Sequence, residues 1–116
     1  MEARAVAKNI RMSARKVRLV VDRIRDLDVN EAYSVLQFSK KAAAVPVDKV
    51  LRSAVANAVY RADEEGAVLD VDELYVREAY VNEGATMRRY RAAAMGRAAP
   101  IRRRTSHVTI VVDTKE

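Results

Sequence analysis

The stretch Gly84-Ala85-Thr86-Met87-Arg88-Arg89-Tyr90-Arg91-Ala92-Ala93-Ala94-Met95-Gly96-Arg97-Ala98-Ala99-Pro100-Ile101-Arg102-Arg103-Arg104-Thr105-Ser106-His107-Val108-Thr109-Ile110-Val111-Val112 holds seven arginines and no acidic residue. The 116-residue chain has a formal net charge of +6; without those seven, 15 basic side chains face 16 acidic ones. The basicity is therefore confined to one segment. Such a patch repels itself unless a polyanion neutralises it. Arginine favours planar, bidentate contact with phosphate and stacking on bases. The alternation of Val108, Ile110 and Val112 against His107 and Thr109 reads as a strand. Leu74-Tyr75-Val76-Arg77-Glu78-Ala79-Tyr80-Val81 reads as another. Residues 84–101 between them lack the large apolar side chains for a core of their own. If the two strands form one antiparallel hairpin turning near Ala94 to Gly96, about ten residues per arm at ~3.3 Å each project about 30 Å. An isolated two-stranded ribbon is marginal in water, so it needs an anionic surface to lie on. The bland alternative is a solvated basic loop, but a long run without acids is unusual for a merely soluble face.

Outward from this segment, the rest reads as one domain by length. Ala3 to Arg11 has a weak strand pattern, with Val6, Lys8 and Ile10 on one side and Ala5, Ala7 and Asn9 on the other. Val17, Val20, Val21 and Ile24 make a helical stripe that Ser13 can cap. A second helix opens at Asp28, with Glu31 in capping-box spacing and Val29, Ala32, Tyr33 and Leu36 as its stripe. A third carries Val47, Val50, Leu51, Ala54 and Ala58 and stops before Gly66. It starts either at Pro46 or at Ser39 with a kink. One early strand, three helices and two late strands imply an α+β domain, its helices packed on a small three-stranded antiparallel sheet with a long protruding hairpin. The expected division is a globular part, residues 1–83 and 104–116, and an arm, residues 84–103.

The chemistry-bearing residues point the same way. Arg11, Arg15, Lys16 and Arg18 surround the start of the first helix, where free N–H groups already favour phosphate. The chain has no Cys and one His, His107, which argues against a metal site, and nothing has the spacing of a catalytic or nucleotide-binding motif. His107 reads as a polar contact on the strand surface or to RNA. Tyr75, Tyr80 and Tyr90 are candidates for base stacking or for packing. Asp70 and Asp72 sit in an apparent loop. No apolar run is long enough for a spanning helix, and the N-terminus does not read as a secretory signal. The expectations are no enzyme activity, no cofactor and a cytoplasmic location.

Four motifs, in order along nearly the whole chain, carry a resemblance. They are Ser13-Ala14-Arg15-Lys16-Val17-Arg18-Leu19-Val20, Lys49-Val50-Leu51-Arg52-Ser53-Ala54-Val55-Ala56-Asn57-Ala58, Leu74 to Gly84, and Gly96-Arg97-Ala98 with Ile101 to Val112. Together they resemble the bacterial-type family of large-ribosomal-subunit protein twenty-two. The resemblance implies a structural protein that binds large-subunit rRNA, assists subunit assembly and lines the peptide exit tunnel with its hairpin tip. It implies rRNA contacts at Arg11, Ser13, Arg15, Lys16, Arg18, Arg88, Arg89, Arg91, Arg97, Arg102, Arg103, Arg104, Ser106 and His107. The tip would be Ala92, Ala93, Ala94, Met95 and Gly96. Expected partners are rRNA, neighbouring large-subunit proteins and the nascent polypeptide, with no membrane and no homo-oligomer. The chain departs from the family pattern at Ala85, where proline is common, at the tip, where two basic residues are missing, and at Pro46. The alternative from another class is a free nucleic-acid-binding module or RNA chaperone using the same arm.

Overall fold

The computed structural model describes residues 2–92 and 94–115. Along it run β1 (Glu2–Ile10), α1 (Ala14–Ile24), α2 (Val29–Phe38), α3 (Ala44–Glu64), β2 (Leu74–Ala92) and β3 (Ala98–Thr114), with single 3-10 turns at Val71–Glu73 and Ala94–Gly96. The sheet is antiparallel, in the order β1-β3-β2. This is the α+β architecture the sequence implies. Its longest dimension is 67 Å against 27 and 17 Å for the others. The radius of gyration, 17.6 Å, exceeds the roughly 13 Å of a compact domain of this length. The excess is the β2–β3 ribbon, paired from Thr86↔Arg104 to Ala92↔Ala98 beyond the body.

The core lies between one sheet face and the three helices. Val17, Val20, Val21 and Ile24 of α1, Val29, Ala32 and Leu36 of α2, and Val47, Leu51, Ala54 and Ala58 of α3 close over Leu74, Val76, Val108, Ile110 and Val112. In β1 the small residues go inward: Ala3 and Ala5 are buried while Val6 is exposed.

The helix ends differ from the sequence expectations in instructive ways. Ser13 and Asp28 sit at N-cap positions, but neither side chain makes a cap hydrogen bond. Asp28 pairs instead with the Lys115 ammonium, and that hydrogen bond pushes the lysine pKa up. Ser39 ends α2 rather than opening α3, its hydroxyl accepting from the Lys41 N–H at 3.3 Å. Helix α3 starts at Ala44, two residues before Pro46, with Ala43 at its N-cap. Pro46 therefore falls in the first turn, where its missing N–H removes no intrahelical bond. The other end closes as expected at Gly66, φ 67°, where Ala67 N–H reaches Ala62 O (2.9 Å) and Gly66 N–H reaches Asp63 O (3.2 Å), a Schellman motif.

Both outer strands of the body have their free edges covered by helix side chains. Arg61 donates to Glu2 O (2.7 Å) and Asn57 to Arg4 O (2.9 Å) along β1. On β2, the forks of Arg18 and Arg25 each place two donors on one carbonyl, Val81 O (2.9 and 3.2 Å) and Ala79 O (2.7 and 3.1 Å). Val76 exchanges backbone bonds with Asp26 N and Leu27 O. A sheet edge so covered offers less template for pairing with another chain. The carboxylates of Asp70 and Asp72 are structural too: Asp70 caps the 3-10 turn through Asp72 N–H, and Asp72 accepts from Asn30.

Candidate nucleic-acid interface

Strand register decides how the arm presents its charge. Directly paired residues share a face of the ribbon. One face therefore carries Met87 with Arg103, Arg89 with Ile101, and Arg91 with Ala99. The other carries Thr86 with Arg104, Arg88 with Arg102, Tyr90 with Pro100, and Ala92 with Ala98. Each face holds three arginines, and only Arg88 and Arg102 stand directly opposite each other. The remaining arginines face neutral partners, which limits like-charge repulsion within the ribbon. Pro100 is tolerated because each strand of a two-stranded ribbon has one unpaired edge.

At the foot of the arm, a hollow of about 830 Å³ is lined by Arg11, Met12, Ser13 and Lys16 from the body, and by Met87, Arg89, Tyr90, Arg91 and Ile101 to Thr105 from the ribbon. The start of α1 and the arm, 70 residues apart in sequence, thus form one basic concavity. The first turn of α1 has no acidic residue, and the Ser13 hydroxyl makes no cap bond, so the positive end of the helix stays uncompensated. Arg15 lines a smaller adjoining hollow with Arg104, Thr86 and Glu83.

Several expected contact residues stand elsewhere. Arg18 spends two donors on Val81 O, so its first job is holding the β2 edge. Ser106 is fully buried on the helix side of β3, and its hydroxyl has no partner among the described residues; a docked RNA would not reach it. His107 is half-buried, and its Nδ1 accepts the Asn9 N–H at 3.1 Å, so the ring proton belongs on Nε2. Arg88 and Arg97 are exposed but do not line the hollow. At the tip, Ala92, Ala94, Met95 and Gly96 are exposed and Ala93 lies outside the described residues. Met95 and Gly96 form the turn with φ of 62° and 72°. The glycine was legible as a turn residue; a left-handed methionine was not. The sequence also gave no sign that Met12 and Thr105 complete the hollow, because their neighbours there come from the other end of the chain.

Comparison with known proteins gives the context for this geometry. The family model described as ribosomal protein L22p/L17e matches residues 5–113. The chain belongs to that family. It is 50% identical to large ribosomal subunit protein uL22 of Bifidobacterium longum (strain DJO10A), over 100% of this chain and 98% of the relative. The same protein of Clostridium novyi (strain NT) is 54% identical, over 97% of this chain and 96% of the relative. That of Ligilactobacillus salivarius (strain UCC118) is 51% identical, over 97% and 94%. Among the described residues, no helix is long and apolar enough to cross a membrane, and no cluster of three metal-ligating side chains occurs.

Proposed function

We propose that the chain is a structural constituent of the large ribosomal subunit, in the cytoplasm, that binds large-subunit rRNA and assists subunit assembly, and that its arm, residues 84–103, reaches through the RNA to put its tip at the peptide exit tunnel. The observation that carries the reading is the charge on both faces of an acid-free ribbon. A ribbon lying on an RNA surface needs arginine on one face; a ribbon inserted between RNA segments needs it on two. The role is electrostatic and geometric rather than catalytic: guanidinium groups neutralise converging phosphates and hold RNA segments together. Arg89, Arg91, Arg103 and Arg88, Arg102, Arg104 serve the two sides, Arg97 the turn, and Arg11, Ser13, Arg15 and Lys16 the foot. Small residues at Ala92 and Ala94 let the turn sit close to RNA and to a passing nascent chain, with neighbouring large-subunit proteins as further partners of the body. The test is incorporation of tagged protein into large subunits followed by a high-salt wash and sedimentation. An integral component stays with the particle. Complete release would favour a free RNA chaperone using the same arm.

A further inference from the structure

The arm leaves the body where the sheet is bulged on both sides of β3. On β2, the pairing steps from Glu83↔Ser106 to Thr86↔Arg104, so Gly84 and Ala85 together oppose Thr105. On β1, it steps from Ala7↔Val108 to Ile10↔Ser106, so Lys8 and Asn9 together oppose His107, with Asn9 at φ 62°. Both extra residues are tied by side chains from the central strand. Thr105 Oγ1 donates to Ala85 O at 2.7 Å, and His107 Nδ1 accepts the Asn9 N–H at 3.1 Å. The two ties meet at Gly84. A Cβ there would lie 2.5 Å from Thr105 Oγ1, 3.0 Å from His107 Cε1 and 3.1 Å from His107 Nε2. The first separation is impossible without movement, and the hydroxyl that must move is already engaged with Ala85.

A bulge bends its strand and increases local twist. Two bulges two residues apart along β3, one on each side of it and each latched, set the direction in which the ribbon departs. We infer that Gly84, Thr105, His107 and Asn9 form a latch that aims the arm before any RNA is met, making them positioning residues for insertion. The latch also accounts for the Thr105 hydroxyl and the His107 Nδ1, both of which are engaged within the sheet. A pre-aimed arm presents both charged faces along a fixed line, whereas a swivelling one must find its direction on the RNA and loses orientational freedom in doing so. That consequence rests on the arm being the RNA-binding element; the aiming itself does not.

The chain has no cysteine, so spin labels go where they are placed. Labels at Val68→Cys, which is fully exposed in the loop after α3, and at Ala98→Cys on the ribbon report the arm direction by pulsed electron–electron distance measurement. The ribbon between Thr105 and Ala98 is a lever of about 20 Å, so re-aiming by about 15° moves the label by about 5 Å. The expected result is a single-peaked distance in the free protein that keeps its mean in complex with large-subunit rRNA. Gly84→Ala should shift or split that distance, and Thr105→Val, which keeps shape but removes the donor, should broaden it, each with helical circular dichroism unchanged. Thr105→Val carries the test alone if Gly84→Ala fails to fold. A wild-type distance that is broad when free and collapses only on RNA, or folded variants that leave the distance where it was, overturns the latch. A wild-type protein with the expected distance that does not bind rRNA would overturn the functional reading and leave the latch standing.

Discussion

Replacing Arg102, Arg103 and Arg104 together by Gln separates binding from folding. The three lie where the ribbon joins the body, all exposed, and all line the basic hollow. Arg102 stands directly opposite Arg88. Two guanidinium charges about 6 Å apart in water repel by roughly 0.7 kcal/mol, so removing one relieves rather than strains the ribbon. Exposed substitutions otherwise stay within about ±0.5 kcal/mol. Helicity and the unfolding midpoint should therefore barely move. Binding should change in a calculable way. Each phosphate contact contributes about 0.9 to the log–log salt slope on a duplex and about 0.7 on a single strand. Three lost contacts flatten the slope by about 2.1 to 2.7. Between 50 and 200 mM salt the wild type then loses roughly 20- to 40-fold more affinity than the variant. Fluorescence anisotropy with labelled large-subunit rRNA across that range reads the slope, and circular dichroism reads the fold. An unchanged slope with reduced helicity would show that these arginines hold the body together instead.

Further outcomes follow from the same geometry. Amide exchange in the free protein should accelerate along the ribbon from Thr105 outward to Arg97 and slow over the whole arm in assembled subunits; uniform protection in both states would contradict an arm that RNA stabilises. Gly96→Val should disturb the turn by about 1–2 kcal/mol, because a β-branched residue is forced to positive φ, and should slow subunit assembly as read by sedimentation. Met95→Ala should leave assembly normal while altering pausing on a tunnel-sensing peptide in ribosome profiling; unchanged pausing, with cross-links placing the tip away from nascent chains, would remove the tunnel assignment. Replacing Arg18 and Arg25 together by Met should bare Ala79 O and Val81 O on the β2 edge, with a loss of about 1 kcal/mol per hydrogen bond and concentration-dependent self-association in analytical ultracentrifugation.

The sequence by itself determined the elements and the arm. Helical stripes such as Val17-Val20-Val21-Ile24 and the alternation at Val108-Ile110-Val112 are local signals, because burial of one face imposes a period that composition records. The acid-free run from Gly84 to Val112 was legible for the same reason: charge is written directly in the residues. Only the tertiary structure decided which arginines share a face, because register beyond Glu83 depends on a one-residue bulge that leaves no compositional trace. It alone showed that Arg18 and Arg25 are engaged with β2 carbonyls, since an unpaired edge becomes visible only when strand order is known. Ser106 and His107 stand side by side in a basic segment, yet one is fully buried and the other is turned toward Asn9. Asn9 and His107 are 98 residues apart, and no local pattern encodes a contact at that separation.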